Sequence, residues 1–442
     1  MAHTIKDYKL QLCGMFTFST AQRKAFAKRP FYKSYQANLL TKTHVTRQYY
    51  PAFRDIILNT AKPESHLELI SQAAVPFSGC SFVDYKVNGV LSPSPTFRIK
   101  DVSVTFYDER FGIGVYSYSL ECYDVANSSI ELDFDELTAV SFFARDFENQ
   151  IVVGNETLTI AEFIEKKLLA LDDNGNTINI SEKPGESYFN GPKLKIWTVI
   201  DLPGLNDQQY TQALYELGTC TAFGTAVSGH LYSSSQAYFD SKVADQISVY
   251  QNWKALCLWD SFSLIGNDYK GNSFEVWNDN YFKVYKYNLY HKFYLFKVNS
   301  DLATNGKLAV TRKELVYFIT KYDLEVISYN FLPNLLFSHM KKAMQSEEES
   351  KALLSKIDSR NSLLQEQSAL YLNWFLGIIA VLSLVSIVGD ASGLYEKLMG
   401  ITDLKEQTAI SVTRFSLVLL IIVIVILLII YKVNRYKQNK HR

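Results

Sequence analysis

The residues whose types and spacing most directly specify chemistry lie towards the C-terminus. Stepping by three or four from Asn373 reaches Gly377, Ala380, Ser383, Ile387 and Asp390, which share one face of a helix. That face is small or polar, while Trp374, Phe375, Leu376, Ile378, Ile379, Leu382 and Leu384 make the other faces bulky. A slender hydrophilic edge on an apolar helix does no covalent chemistry. Repeated around an axis by several copies, it lines a path for water and ions. The same small residues also let helices pack closely, and on residue type alone packing is the commoner use. Asp390 at the end of the stripe favours the pore reading, as does the absence of any polar group in residues 417–430. Asp390 also fits a solvated loop.

A second constellation is the run 277–296, WNDNYFKVYKYNLYHKFYLF, where aromatic residues alternate with Lys283, Lys286 and Lys292. Rings that stack a base while lysines meet phosphate bind nucleotides. Aromatic residues at helical spacing are more often core, so core is the expectation here. Catalysis finds no support: the histidines are dispersed, no nucleophile elbow or phosphate loop occurs, and Gly112-Ile113-Gly114 lacks the third glycine of a dinucleotide fingerprint. No catalytic residue and no metal ligand is assigned, and a non-enzyme is expected. Cys13, Cys80, Cys122, Cys220 and Cys257 are scattered singly and are odd in number, which fits reduced thiols. The 45 basic residues match the 45 acidic ones, so no global field draws the chain to nucleic acid.

The elements that must position these residues follow from hydropathy. Residues 371–388 carry no ionisable carboxylate or ammonium, and residues 415–431 are apolar on every side. Each is about as long as a bilayer span, so a hairpin of two transmembrane helices is expected, joined by the polar segment 389–414. Lys432, Arg435, Lys437, Lys440 and Arg442 have no acidic counterweight and mark the cytoplasmic side. The N-terminus lacks a secretory core. A multi-pass protein of a prokaryotic inner membrane, with both termini in the cytoplasm, is the resulting expectation.

From Ser346 to Gly377 no glycine or proline intervenes, and Ser346 with Glu349 has the pattern of a capping box. The spacing predicts one stalk helix over 346–388, about 60 Å long, with Leu353, Ile357, Leu364 and Leu370 or Tyr371 as a seam for neighbouring helices. Residues 311–344 are helical in pattern and broken at Pro333. Further upstream, strand and helix signals mix into an α/β (α+β) domain: a hairpin over 102–107 and 115–122, a strand over 196–202, and helices over 161–171 and 207–217. The second of these helices is capped by Asn206. Residues 181–193 are the clearest linker. The expected division is a cytosolic regulatory or ligand-sensing domain (1–310), stalk helices (311–370), a two-span pore domain (371–431) and a basic cytosolic tail (432–442).

This order of parts resembles the CorA family of divalent-cation channels. The resemblance implies a pentamer whose first span lines the pore, and it transfers a pore-lining role to Asn373, Gly377, Ala380, Ser383, Ile387 and Asp390. The family's Gly-Met-Asn motif is missing, because residues 388–395 read VGDASGLY, so magnesium selectivity does not transfer. A divergent CorA-like chain with an aromatic-rich cytosolic domain is similar to the membrane effectors of type III CRISPR antiviral systems. That likeness implies gating by a nucleotide second messenger, S-adenosylmethionine joined to AMP (SAM-AMP). The expected partners are other copies of the chain, a lipid bilayer and SAM-AMP, without direct nucleic-acid contact, and a divalent cation is compatible with the family. Two alternatives stand beside the messenger-gated channel: a housekeeping transporter of magnesium or another divalent cation, and a non-conducting membrane-anchored scaffold.

Overall fold

The computed structural model describes residues 5–30, 32–34, 45–58, 66–69, 77–87, 90–123, 132–172, 174–181, 191–220, 234–267, 273–304 and 308–399. It divides into two compact units, Met1–Leu354 and Ser355–Arg442.

The first unit is built on a nine-stranded mixed sheet. In chain order its strands are β1 (Asp7–Thr17), β2 (Tyr32–Ser34), β3 (His66–Leu69), β4 (Phe97–Asp108), β5 (Ile113–Cys122), β6 (Lys195–Asp201), β7 (Ile247–Tyr250), β8 (Trp253–Cys257) and β9 (Ser261–Gly266). Their order across the sheet is β7-β8-β9-β6-β1-β5-β4-β3-β2. Only β6 and β9 run parallel, and every other pairing is antiparallel. Helices among the described residues include α1 (Thr20–Phe26), α2 (Pro51–Leu58), α3 (Phe134–Ala144), α4 (Ile160–Phe163), α5 (Asp207–Thr219), α6 (Gln236–Val243), α7 (Phe282–Thr304), α8 (Leu308–Tyr322), α9 (Phe331–Ala343) and α10 (Ser346–Met399).

Alternation along the central strands sorts side chains onto two faces. One face joins Leu10, Leu12 and Phe16 of β1, Val104 and Phe106 of β4, and Ile196 and Ile200 of β6 to α3, α4 and α5 in the main core. The opposite face meets α7: Trp197 packs on Phe282 and Tyr285, and Tyr107 stacks on Tyr290 at 4.3 Å between ring centroids. The mixed α/β reading of the N-terminal part agrees with this arrangement.

Local signals fix several elements. Asn206 accepts from the Gln209 amide and Gln209 returns the bond, so α5 starts on a complete capping box. Asp133 with Glu136 does the same for α3. Gly112 turns β4 into β5 at φ +61°, where an added Cβ would stand 2.6 Å from the Phe18 carbonyl oxygen, so only glycine fits. Pro333 sits in the first turn of α9, where its missing N–H costs nothing.

Three expectations are corrected. Ser346 and Glu349 form no capping box: the Ser346 hydroxyl makes no hydrogen bond, and the Glu349 carboxylate is engaged by Lys292 of α7. The helix expected over 161–171 is α only to Phe163, after which Ile164–Leu168 widens into a π turn. The largest correction concerns the transmembrane hairpin. Among the described residues, no helix is long and apolar enough to cross a membrane. The expected turn after Val388 is not a turn, because α10 continues through Gly389 and Asp390 to Met399. Within the first expected span, the unbroken run of described side chains ends at Ser383. The second expected span (415–431) and the basic tail lie outside the described residues. The hairpin fold class, the assignment as a membrane protein and the multi-pass inner-membrane location are withdrawn on this finding.

Candidate ligand-binding site and the long helix

Asn373, Gly377, Ala380, Ser383 and Ile387 all lie on α10, and each is exposed. Ser383 donates its hydroxyl to the Ile379 carbonyl at 2.8 Å, which satisfies it within the helix. Asp390 falls inside α10 and not at a helix exit, and its side chain lies outside the described residues. Trp374, Ile378 and Val381 form a half-buried strip that points roughly 130° away from the stripe. Among the described side chains of residues 373–387, the stripe therefore stands clear of the partly covered strip. Phe375, Leu376 and Leu382 are also exposed.

The aromatic run resolves as core. Trp277, Tyr281, Phe282, Tyr285, Tyr287, Tyr290, Phe293 and Tyr294 are buried, and among the described aromatic residues of the run only Phe296, 49% exposed, stays open. Lys283, Lys286 and Lys292 are also buried, and the last two tie α7 to other elements. Lys286 donates to the Ser103 hydroxyl at 3.1 Å, which lies 2.8 Å from that of Ser117. The strand register extends this pair into a polar row across four strands: Lys195, Cys13, Ser117 and Ser103 stand side by side on β6, β1, β5 and β4. Burial pushes the Cys13 thiol up to about 12 against the opposing pull of Lys286 and Lys195, so it is a packed hydrophobe and no nucleophile.

Lys292 connects α7 to the long helix. Its ammonium pairs with Glu349 in the first turn of α10 and lies 4.0 Å from the centre of the Trp259 ring. Trp259 and Asp260 form the tight turn between β8 and β9, closed by the Leu258 amide donating to the Ser261 carbonyl at 2.9 Å. Nothing in the sequence marks this turn, which has neither glycine nor asparagine.

Around Asp260 three cations gather from separate segments. Arg145, which caps the C-terminus of α3, approaches its carboxylate at 3.5 Å. Lys195 lies beside it because Ile196 pairs with Ser261 in the parallel ladder. Burial lowers the affinity of Lys195 for its proton, and Asp260 opposes that shift. Lys193 stands two residues before Lys195, with its ammonium 5.5 Å from the Phe142 ring; Arg145 lies over the same ring at 5.7 Å. Phe142 is 40% exposed and Trp259 47%. Among the described residues no group of three acidic, His or Cys side chains could hold a metal ion.

No family model matches the chain, and no curated protein or solved structure matches it either.

Proposed function

We propose that the chain is an oligomeric ion channel of the CorA type, in which copies of α10 surround the ion path although no described helix crosses a membrane, and in which the globular unit senses a nucleotide second messenger, SAM-AMP, in antiviral defence of the type III CRISPR kind. The observation that carries the proposal is the exposed apolar surface of α10. This 54-residue helix carries exposed leucines and aromatics on several sides, among them Leu364, Leu370, Tyr371, Phe375 and Leu382. Apolar surface on this scale marks an interaction site. Copies of the same helix supply matching surface, and a closed ring turns one common face of each copy inward. The small-polar stripe is the face suited to an aqueous lumen.

A ligand acts on such an assembly only through different affinities for its open and closed arrangements. The pair of Lys292 with Glu349 offers the link, because it ties a strand turn of the sensing unit to the first turn of α10. The test is ion flux from lipid vesicles carrying the full chain, with and without SAM-AMP. The proposal expects ligand-dependent flux that Ser383→Leu abolishes while leaving the oligomer intact. Flux that is absent under both conditions, or unaffected by Ser383→Leu, overturns it.

A further inference from the structure

We infer that the surface formed by Phe142, Arg145, Lys193 and the Trp259–Asp260 turn is a binding site for an adenine nucleotide. The inference rests on the nucleotide-sensing part of the proposed function and gives it a place.

Three features of the chemistry converge there. Two aromatic rings, on α3 and on the β8–β9 turn, remain exposed at 40% and 47%, and the ion pair of Arg145 with Asp260 joins their neighbourhoods. Among the described residues, Arg145, Lys193 and Lys195 stand around that ion pair with the carboxylates of Asp260 and Asp146, which leaves one positive charge in excess. The Asp146 carboxylate accepts from the Glu148 amide at 3.2 Å and keeps its charge beside Lys193, to which Asp146 is joined by a backbone bridge. The charge of Lys292 is matched by Glu349, so it does not add to the excess. Exposed rings beside an unbalanced cation match a ligand with a flat base and a phosphate. Base stacking on an aromatic ring is worth about 1–3 kcal/mol, and the half-buried Lys193 is the cation open to a phosphate, because Arg145 is buried against Asp260.

The site also has a mechanical consequence. The Trp259 ring already holds Lys292 at 4.0 Å. A base laid against Trp259 changes the surroundings of that ammonium and therefore of its pair with Glu349 at the start of α10. Occupancy of the surface and the Lys292–Glu349 pair are thereby coupled through one turn.

Titration calorimetry of the full chain in mild detergent with SAM-AMP, AMP and S-adenosylmethionine tests this. The variants are Phe142→Ser, Lys193→Glu and Trp259→Leu. Phe142 and Trp259 are exposed and Lys193 is half-buried, and unchanged circular dichroism serves as the folding control. The inference expects SAM-AMP or AMP to bind the wild type and to weaken at least tenfold in Lys193→Glu and in one of the aromatic variants. Binding of AMP alone, lost in the variants, supports the site while overturning SAM-AMP as the messenger. SAM-AMP binding that is unchanged in all three variants overturns the site and leaves the messenger reading standing. No binding of any of the three nucleotides overturns both.

Discussion

Lys292 of α7 and Glu349 of α10 pair across the packing boundary where the long helix begins, with side-chain exposures of only 10% and 23%. A charge pair this enclosed is costly to break from one side, because the remaining partner stays buried without compensation.

Replacing Glu349 with Gln is therefore expected to destabilise the globular unit by on the order of 3 kcal/mol, read as a lower midpoint in thermal or urea unfolding. Lys292→Met combined with Glu349→Leu is expected to recover most of that loss, since two apolar groups leave nothing unpaired. A double variant as unstable as the sum of its parts would show that the two residues do not interact.

His291 supplies a pH dependence. Its Nε2 lies 3.6 Å from Asp323, beyond hydrogen-bond reach, and Asp323 already accepts from Lys341 at 2.7 Å. Burial, the largest cause, takes the imidazole from its ordinary 6.5 down to about 4. The folded state thus holds it neutral, while the unfolded chain binds a proton below pH 6.5. Stability from this group is complete above the unfolded value and falls as pH drops from about 6.5 towards 4. His291→Phe should flatten that part of the stability profile, measured by urea unfolding at stepped pH. An unchanged slope would contradict the assignment.

Gly112→Ala is expected to cost about 1–3 kcal/mol, because the position requires φ +61° and a Cβ there would meet the Phe18 carbonyl oxygen at 2.6 Å. Gly175→Ala provides the comparison: its φ of +89° is also left-handed, but an added Cβ meets nothing within 4 Å. The Gly112 variant should be the less stable of the two in the same unfolding assay.

Much of the fold was legible wherever the determinants were local. The β4–β5 hairpin shows in its β-branched and aromatic residues, α5 in its Asn206 cap, and the long helix in the absence of breakers after Ser346. Long-range pairing left no such mark. The parallel contact of β6 with β9, which sets Lys195 beside Asp260, joins residues far apart in the chain. The π turn at Ile164–Leu168 follows an ordinary helical sequence. Glu349 read as a cap because the pattern Ser-x-x-Glu is local, whereas its actual partner lies on another helix. The hydropathy that predicted a hairpin also set a helix end at Val388, yet α10 continues to Met399. The basic and aromatic surface could not be foreseen, because Phe142, Arg145, Lys193 and Trp259 come from three separate segments.

Disulfide trapping on α10 gives the most direct view of how its faces are used, and the five native cysteines are buried and so do not compete. Ala380 belongs to the small-polar stripe, while Leu382 points to the opposite side of the helix, roughly 160° away. Copies assembled with the stripe inward should form intersubunit disulfides through Ala380→Cys and few or none through Leu382→Cys. Trapping through Leu382→Cys alone, or through neither position, would contradict the proposed arrangement.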